Sequence, residues 1–158
     1  MKSLYIIICL FFTTSSFCFA IDRKDFYPIF SFGNLTQVNQ CIETFKKAKP
    51  SSINNVYIGA MLIKKADLEF FPTDKLEYFK AGYTMLEKEI KAHPENIEYR
   101  FIRLTIQETA PSILGYNQNI QEDKKLVVQN FYKLDTSLQF YIKEYCKQSK
   151  ILTLKDLG

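Results

Sequence analysis

Asp74-Lys-Leu-Glu-Tyr-Phe-Lys-Ala-Gly-Tyr-Thr-Met-Leu-Glu-Lys-Glu-Ile90 places Leu76, Phe79, Tyr83, Leu86 and Ile90 three and four residues apart over four turns. That spacing puts one apolar stripe on one side of a helix and is incompatible with the period of two that a strand needs. Asp74 and Glu77 have the spacing of a capping box, which predicts the helix start. Gly82 interrupts the stripe where glycine costs about 1 kcal/mol relative to alanine, so a close approach of two backbones is expected there.

The same period continues on both sides. Upstream, Leu35, Val38, Ile42 and Phe45 predict a helix from an N-cap at Asn34 to about Pro50. Ser51 or Ser52 then opens a helix reaching about Phe70 and stopped by Pro72. It carries two apolar stripes, Ile53, Val56, Ala60 and Ile63 on one side and Tyr57, Met61 and Leu68 on the other, with Gly59 in the middle. Downstream, His93-Pro94-Glu95-Asn96 breaks the pattern, and Ile97 to Thr109 resumes it until Pro111. Ser112 to Asn119 reads as a loop around Gly115. Asn119 with Glu122 opens a helix lined by Ile120, Val127, Phe131 and Leu134, and Thr136 with Gln139 opens a last one carrying Leu138, Tyr141, Ile142 and Tyr145. With no convincing strand and with short turns, the expected fold is all-α: about six helices in antiparallel hairpins, stacked as a repeat array or an irregular bundle.

Leu86-Glu-Lys-Glu-Ile-Lys-Ala-His-Pro-Glu-Asn-Ile-Glu-Tyr-Arg100 resembles the junction between consecutive tetratricopeptide-type repeats, with Pro94 at the turn and Gly82 and Leu86 at packing positions. Val56-Tyr-Ile-Gly-Ala60 is similar to the small-residue packing sites of such helices. Phe79 to Lys124 also resembles small exported bacterial proteins of helical-hairpin type. These resemblances imply stacked helical hairpins over about half the chain and carry no activity with them. The leading aromatic and Leu-Gly signatures of the repeat are absent, as is a strict 34-residue period.

The first twenty residues have the layout of a secretory signal peptide: Lys2, an apolar run from Leu4 to Phe12, then smaller residues up to Ala20. Cleavage after Ala20 is expected, giving an exported chain in the periplasm or outside the cell, with membrane attachment only if the leader is retained. The mature chain of roughly 138 residues carries about +3 and makes a single domain from 21 to 158, with an irregular lead-in over 21–33 and a C-terminal tail over 150–158. Its lysines are short groups among acidic residues, which argues against nucleic acid as a partner. Cys41 and Cys146 survive cleavage. A bridge would tie the two ends of the domain, but one pair gives no framework pattern, and two separate buried thiols are the expected state.

Chemistry concentrates between Ile97 and Thr109. Ile97, Phe101 and Leu104 face one way and Tyr99, Ile102 and Ile106 nearly the opposite way, so this helix is expected to be covered on two sides. Arg100, Arg103 and Gln107 form the polar stripe between those faces, and Asp123 falls on an apolar face of the next helix. Two readings follow. Arg100 or Arg103, Asp123 and Tyr116 form an internal network that docks the helices, or the arginines face a groove and receive a carboxylate or phosphate. The first is favoured. His93 is expected to cap the preceding helix rather than act as a base. Phe26, Tyr27, Phe30 and Phe32 are expected to cover the open end of the stack, or else to serve as aromatic anchors for a partner.

No cofactor motif, thiolate zinc cluster, phosphate loop or nucleophile elbow is present in the sequence. The expected function is therefore a non-enzymatic binding or scaffolding module for a protein or peptide. The alternative is a small hydrolase or transferase using Arg100, Arg103, Asp123 and Tyr116, which would need those groups to converge in an accessible pocket.

Overall fold

The computed structural model describes residues 22–158, so the expected signal peptide lies outside the described residues. The described chain is all-α: α1 Arg23–Phe32, α2 Leu35–Lys47, α3 Ser52–Leu68, α4 Pro72–Ala92, α5 Ile97–Thr109, α6 Ile120–Asn130 and α7 Thr136–Cys146. Three short 3-10 turns, Ser112–Leu114, Phe131–Lys133 and Leu154–Leu157, complete it. No described helix is long and apolar enough to cross a membrane.

The hairpin of α3 and α4 is the frame. Gly59 and Gly82 face each other, and an ideal Cβ built on Gly82 would lie 2.4 Å from the Gly59 carbonyl oxygen. Gly82 also abuts Ile63, while Gly59 abuts Met85 and Leu86. As α3 advances by four residues α4 retreats by four, which makes the pair antiparallel. Backbone contact at this crossing explains glycine in the middle of both helices.

Helix α5 passes through the centre, and every residue from Glu98 through Gln107 is buried. Its two apolar faces pack against neighbours on both sides, as the opposed stripes require. The core is contiguous, from Phe26 and Tyr27 in α1 through Val56, Leu86, Ile102 and Leu104 to Ile142 and Leu152.

Two segments differ from the expectation. Residues 23–32 are not an irregular lead-in but a capped helix: Asp22 accepts from the Lys24 N–H, and the Gly33 N–H closes on the Ile29 carbonyl. Pro28 lies inside α1 and weakens its helical signal, because proline removes a backbone donor. Burial of Phe26 and Tyr27 offsets that loss. Phe26 stacks on Tyr57 at 4.0 Å between centroids, and Tyr27 stacks on Tyr141 at 4.3 Å. Phe26 and Tyr27 thus cover the stack as expected, whereas Phe32 projects into solvent. The C-terminal tail is likewise docked: Leu152 and Leu157 are buried, and Thr153 and Asp156 form a capping box for the last turn.

Several helix starts also differ. Asn34 forms the capping box with Gln37, and Ser51 caps α3. Helix α4, however, starts at Pro72 behind Phe71, so Asp74 sits inside the first turn and makes no capping box with Glu77. Proline tolerates that first position because its missing N–H would be unpaired there in any case. Asn119 makes no side-chain cap on α6; its own N–H is held by Gln107. Asp135, not Thr136, caps α7 by accepting from the Leu138 N–H. His93 caps α4 through its backbone N–H to the Glu89 carbonyl, and its ring Nε2 meets Ser52 Oγ at 3.0 Å.

Cys41 and Cys146 are both free and buried. Burial pushes the Cys41 thiol up to about 12 and the Cys146 thiol up to about 11, so both stay protonated at neutral pH. Reducing agent is expected to leave the thermal midpoint nearly unchanged. A drop matching the roughly 2–4 kcal/mol that a native disulfide contributes would show a bridge.

Candidate functional site

The sequence-derived polar residues meet where α5, α6 and α4 join. Arg103 Nε donates to Asp123 Oδ2 at 2.7 Å and its Nη2 to Oδ1 at 2.8 Å, a two-point fork on one carboxylate. Its remaining nitrogen, Nη1, donates to Glu87 Oε2 at 3.0 Å. Arg100 Nη1 donates to Asp123 Oδ1 at 3.1 Å, and its Nε to the Pro94 carbonyl at 2.7 Å. Arg100 also pairs with Glu122 at 3.3 Å, and the Tyr116 hydroxyl donates to Glu87 Oε1. The helical period puts Arg100 and Arg103 on one side of α5, and the first turn of α6 brings Asp123 against both.

The side chains of Arg100, Arg103 and Asp123 are 10%, 4% and 0% exposed. Burial works against the Arg103 charge, but the hydrogen bond to Asp123 and the charges of Asp123 and Glu87 together outweigh it and hold the guanidinium firmly protonated. Burial, reinforced by Glu87, pushes the Tyr116 hydroxyl well above its ordinary range. Gln107 stands apart from this group. It clips Asn119 to α5, accepting from the Asn119 N–H at 3.2 Å and donating to its Oδ1 at 3.3 Å. The arrangement docks helices with the chain's own carboxylates, and none of Arg100, Arg103, Tyr116, Asp123 or Gln107 lines the cleft described below.

Two further carboxylates escaped the sequence reading. Glu98 receives Arg23 Nε at 2.9 Å and Nη2 at 2.7 Å, and the hydroxyls of Tyr27 at 3.2 Å and Tyr57 at 2.7 Å. Arg23 continues to Asp135 at 2.8 Å, joining α1, α5 and α7. Glu108 holds the C-terminal segment by accepting from Tyr145, from Ser149 Oγ at 2.6 Å and from the Lys150 N–H at 2.7 Å. Burial raises the Glu108 carboxyl, but these donors outweigh it and leave the group below its usual range. Burial of Glu98 was readable from its place in a helix covered on both sides. Its partners were not, since they come from residues 41, 71 and 75 positions away.

An open cleft of about 510 Å³ lies beside the polar network. Phe30 of α1, Ile63 of α3, Leu76 and Phe79 of α4, Ile106 of α5 and Ile113 after α5 give it apolar walls. Phe79 joins the two regions, lining the cleft and packing edge-on against Tyr116 at 5.9 Å. Three of the exposed large apolar side chains, Leu76, Ile113 and Leu114, line the cleft together. Phe32, Phe70 and Phe71 lie within two residues of its lining in sequence, while Tyr83, Tyr132, Phe140 and Leu154 are exposed outside it. Ile113, which lines the cleft, is 92% exposed, so apolar surface reaches out to its mouth. Clustering of this kind marks an interaction surface, whereas isolated exposed apolar residues need no explanation.

No protein family, curated protein or solved structure matches this chain. Among the described residues no group of three or more His, Cys, Asp or Glu is placed to hold a metal ion.

Proposed function

We propose that this protein is an exported, non-enzymatic helical binding module that receives a segment of another protein in the apolar cleft. The observation that carries this reading is the continuity of the cleft with exposed Leu76, Ile113 and Leu114. Clefts of this volume are in the range that takes specific ligands. The buried arginine network supports the reading indirectly: its hydrogen bonds go to Asp123, Glu87 and the Pro94 carbonyl, and its effect is to fix α5, one wall of the cleft, against α4 and α6. The resemblance to tetratricopeptide-type hairpins belongs to the same proposal and is supported by the α3–α4 crossing at Gly59 and Gly82.

A photo-crosslinking residue at Ile113 tests the binding site directly. It is expected to capture a partner protein in the producing cell, while the same residue at Tyr132, which is exposed but outside the cleft, captures none. Equal capture at both positions would defeat the cleft as the site. Export is tested separately by the N-terminus of the mature chain, expected at or near Ile21 in a soluble extracytoplasmic fraction. Recovery of a membrane-embedded chain that still carries Met1 to Ala20 would defeat it.

A further inference from the structure

The cleft constrains its occupant more than volume alone does. Helices supply most of its walls, and along Ile63, Leu76, Phe79 and Ile106 their backbone N–H and C=O groups are engaged within those helices, the free carbonyls being confined to helix ends such as Asp67. An extended peptide entering it would bury its own backbone polar groups against apolar side chains such as Phe30, Ile63, Phe79 and Ile106. Unpaired buried backbone groups are costly, and among the described residues there is no strand whose edge could pair with them. A helix satisfies its backbone internally and presents only side chains. A ligand confined to the cavity would touch only the inward sides of Ile113, Leu76 and Leu114 and leave the rest of these exposed side chains wet, whereas a helix about 10 Å wide seated in the cleft covers the mouth as well.

Charge at the rim selects further. Lys64, Lys75 and Asp67 line the cleft, and among the described residues none of the three side chains forms an ion pair. Lys75 Nζ donates to the Asp67 carbonyl at 3.1 Å, which holds that ammonium at the rim. Two ammonium groups against one carboxylate leave the rim cationic, and complementary charge across an interface sets partner choice.

We infer that the occupant is an amphipathic helix of a partner protein, its apolar stripe in the cleft and an acidic residue on its flank facing Lys64. This rests on the reading of the cleft as the binding site and names the partner's chemistry. The test uses three synthetic, fluorescently labelled peptides of about four turns. Two share one apolar stripe at helical spacing, flanked by Glu in one and by Lys in the other; the third keeps the Glu-flanked composition in scrambled order. Titrated into the mature protein and followed by anisotropy, the Glu-flanked helix is expected to bind at least about tenfold more tightly than the other two. Ile113→Asp, a change at an exposed position, is expected to weaken it by about tenfold, and Lys64→Glu to reverse the preference between Glu and Lys flanks. Equal affinity for the scrambled peptide, or no effect of Lys64→Glu, overturns the inference. So does binding of dodecanoate without peptide affinity, or a dimer of this chain that Ile113→Asp dissociates. If the Ile113 crosslinker captures a partner protein while none of the helical peptides binds, the acidic helix is wrong and the cleft stands as the site. If capture at Ile113 also fails, both readings fall.

Discussion

Replacing Asp123 with alanine is expected to destabilise the domain by about 3–5 kcal/mol, because two guanidinium groups lose the buried carboxylate they share. Asp123 is fully buried and takes three of their hydrogen bonds. Arg103 keeps Glu87 and Arg100 keeps the Pro94 carbonyl and Glu122, but neither can turn into water without moving α5 or α6. For a domain of this size the loss corresponds to a drop in thermal midpoint on the order of 10 °C. A melt within about 0.5 kcal/mol of the parent, the behaviour of a surface position, would mean the network contributes little to docking. The expected cost comes from breaking the cluster, not from an intrinsic benefit of charge. The triple variant Asp123→Leu, Arg100→Met and Arg103→Met removes all three charges together and is expected to recover most of the loss, since apolar replacements of whole buried clusters are often neutral or stabilising. Glu87, partly exposed, can then turn toward solvent.

Gly82→Ala is expected to destabilise by about 2–3 kcal/mol, the cost of overpacking a tight contact. Helix propensity alone predicts the opposite sign, a gain of about 1 kcal/mol. The steric term wins because the new methyl meets the Gly59 carbonyl oxygen at 2.4 Å, Cγ1 of the branched Ile63 side chain at 2.8 Å and the Ile63 nitrogen at 3.0 Å, so that two of the three nearest atoms are backbone and cannot rotate away. Relief requires α3 and α4 to separate along their whole crossing. Ala81→Gly, at the exposed neighbouring position, isolates the propensity effect and is expected to cost about 1 kcal/mol. Urea denaturation of both variants decides between the two accounts, and a stabilised Gly82→Ala would remove the close approach from the description of the fold.

The polar network was partly legible before the structure. The period of 3.6 fixes which residues share a side of a helix, so Arg100 and Arg103 on one stripe of a helix with two apolar faces, and Asp123 on the apolar face of the next helix, already demanded partners. Glu87 was not legible as a partner, since on α4 it lies between the apolar positions Leu86 and Ile90 among charged neighbours and reads as solvated. Helix α1 was missed for a local reason. Pro28 and Gly33 suppress its helical signal, and what holds it is tertiary: Phe26 against Tyr57, and Arg23 against Glu98 and Asp135. The starts of α4, α6 and α7 shifted because several polar residues near each helix start could serve as caps, and packing selects among them.

Sequence by itself determined the all-α class, the order of the helices from Asn34 onward, the two-sided burial of the Ile97 to Thr109 helix and the glycine crossing. Each follows from short-range periodicity or from a local energetic cost that only packing can offset. Tertiary structure alone decided which carboxylate meets which cation, that residues 23–32 fold as a helix, that the C-terminal segment docks through Glu108, and that a cleft opens beside Phe79. Those features depend on how far one helix slides and rotates against another. That displacement is set by the summed fit of many side chains distant in sequence, and no spacing along the chain encodes it.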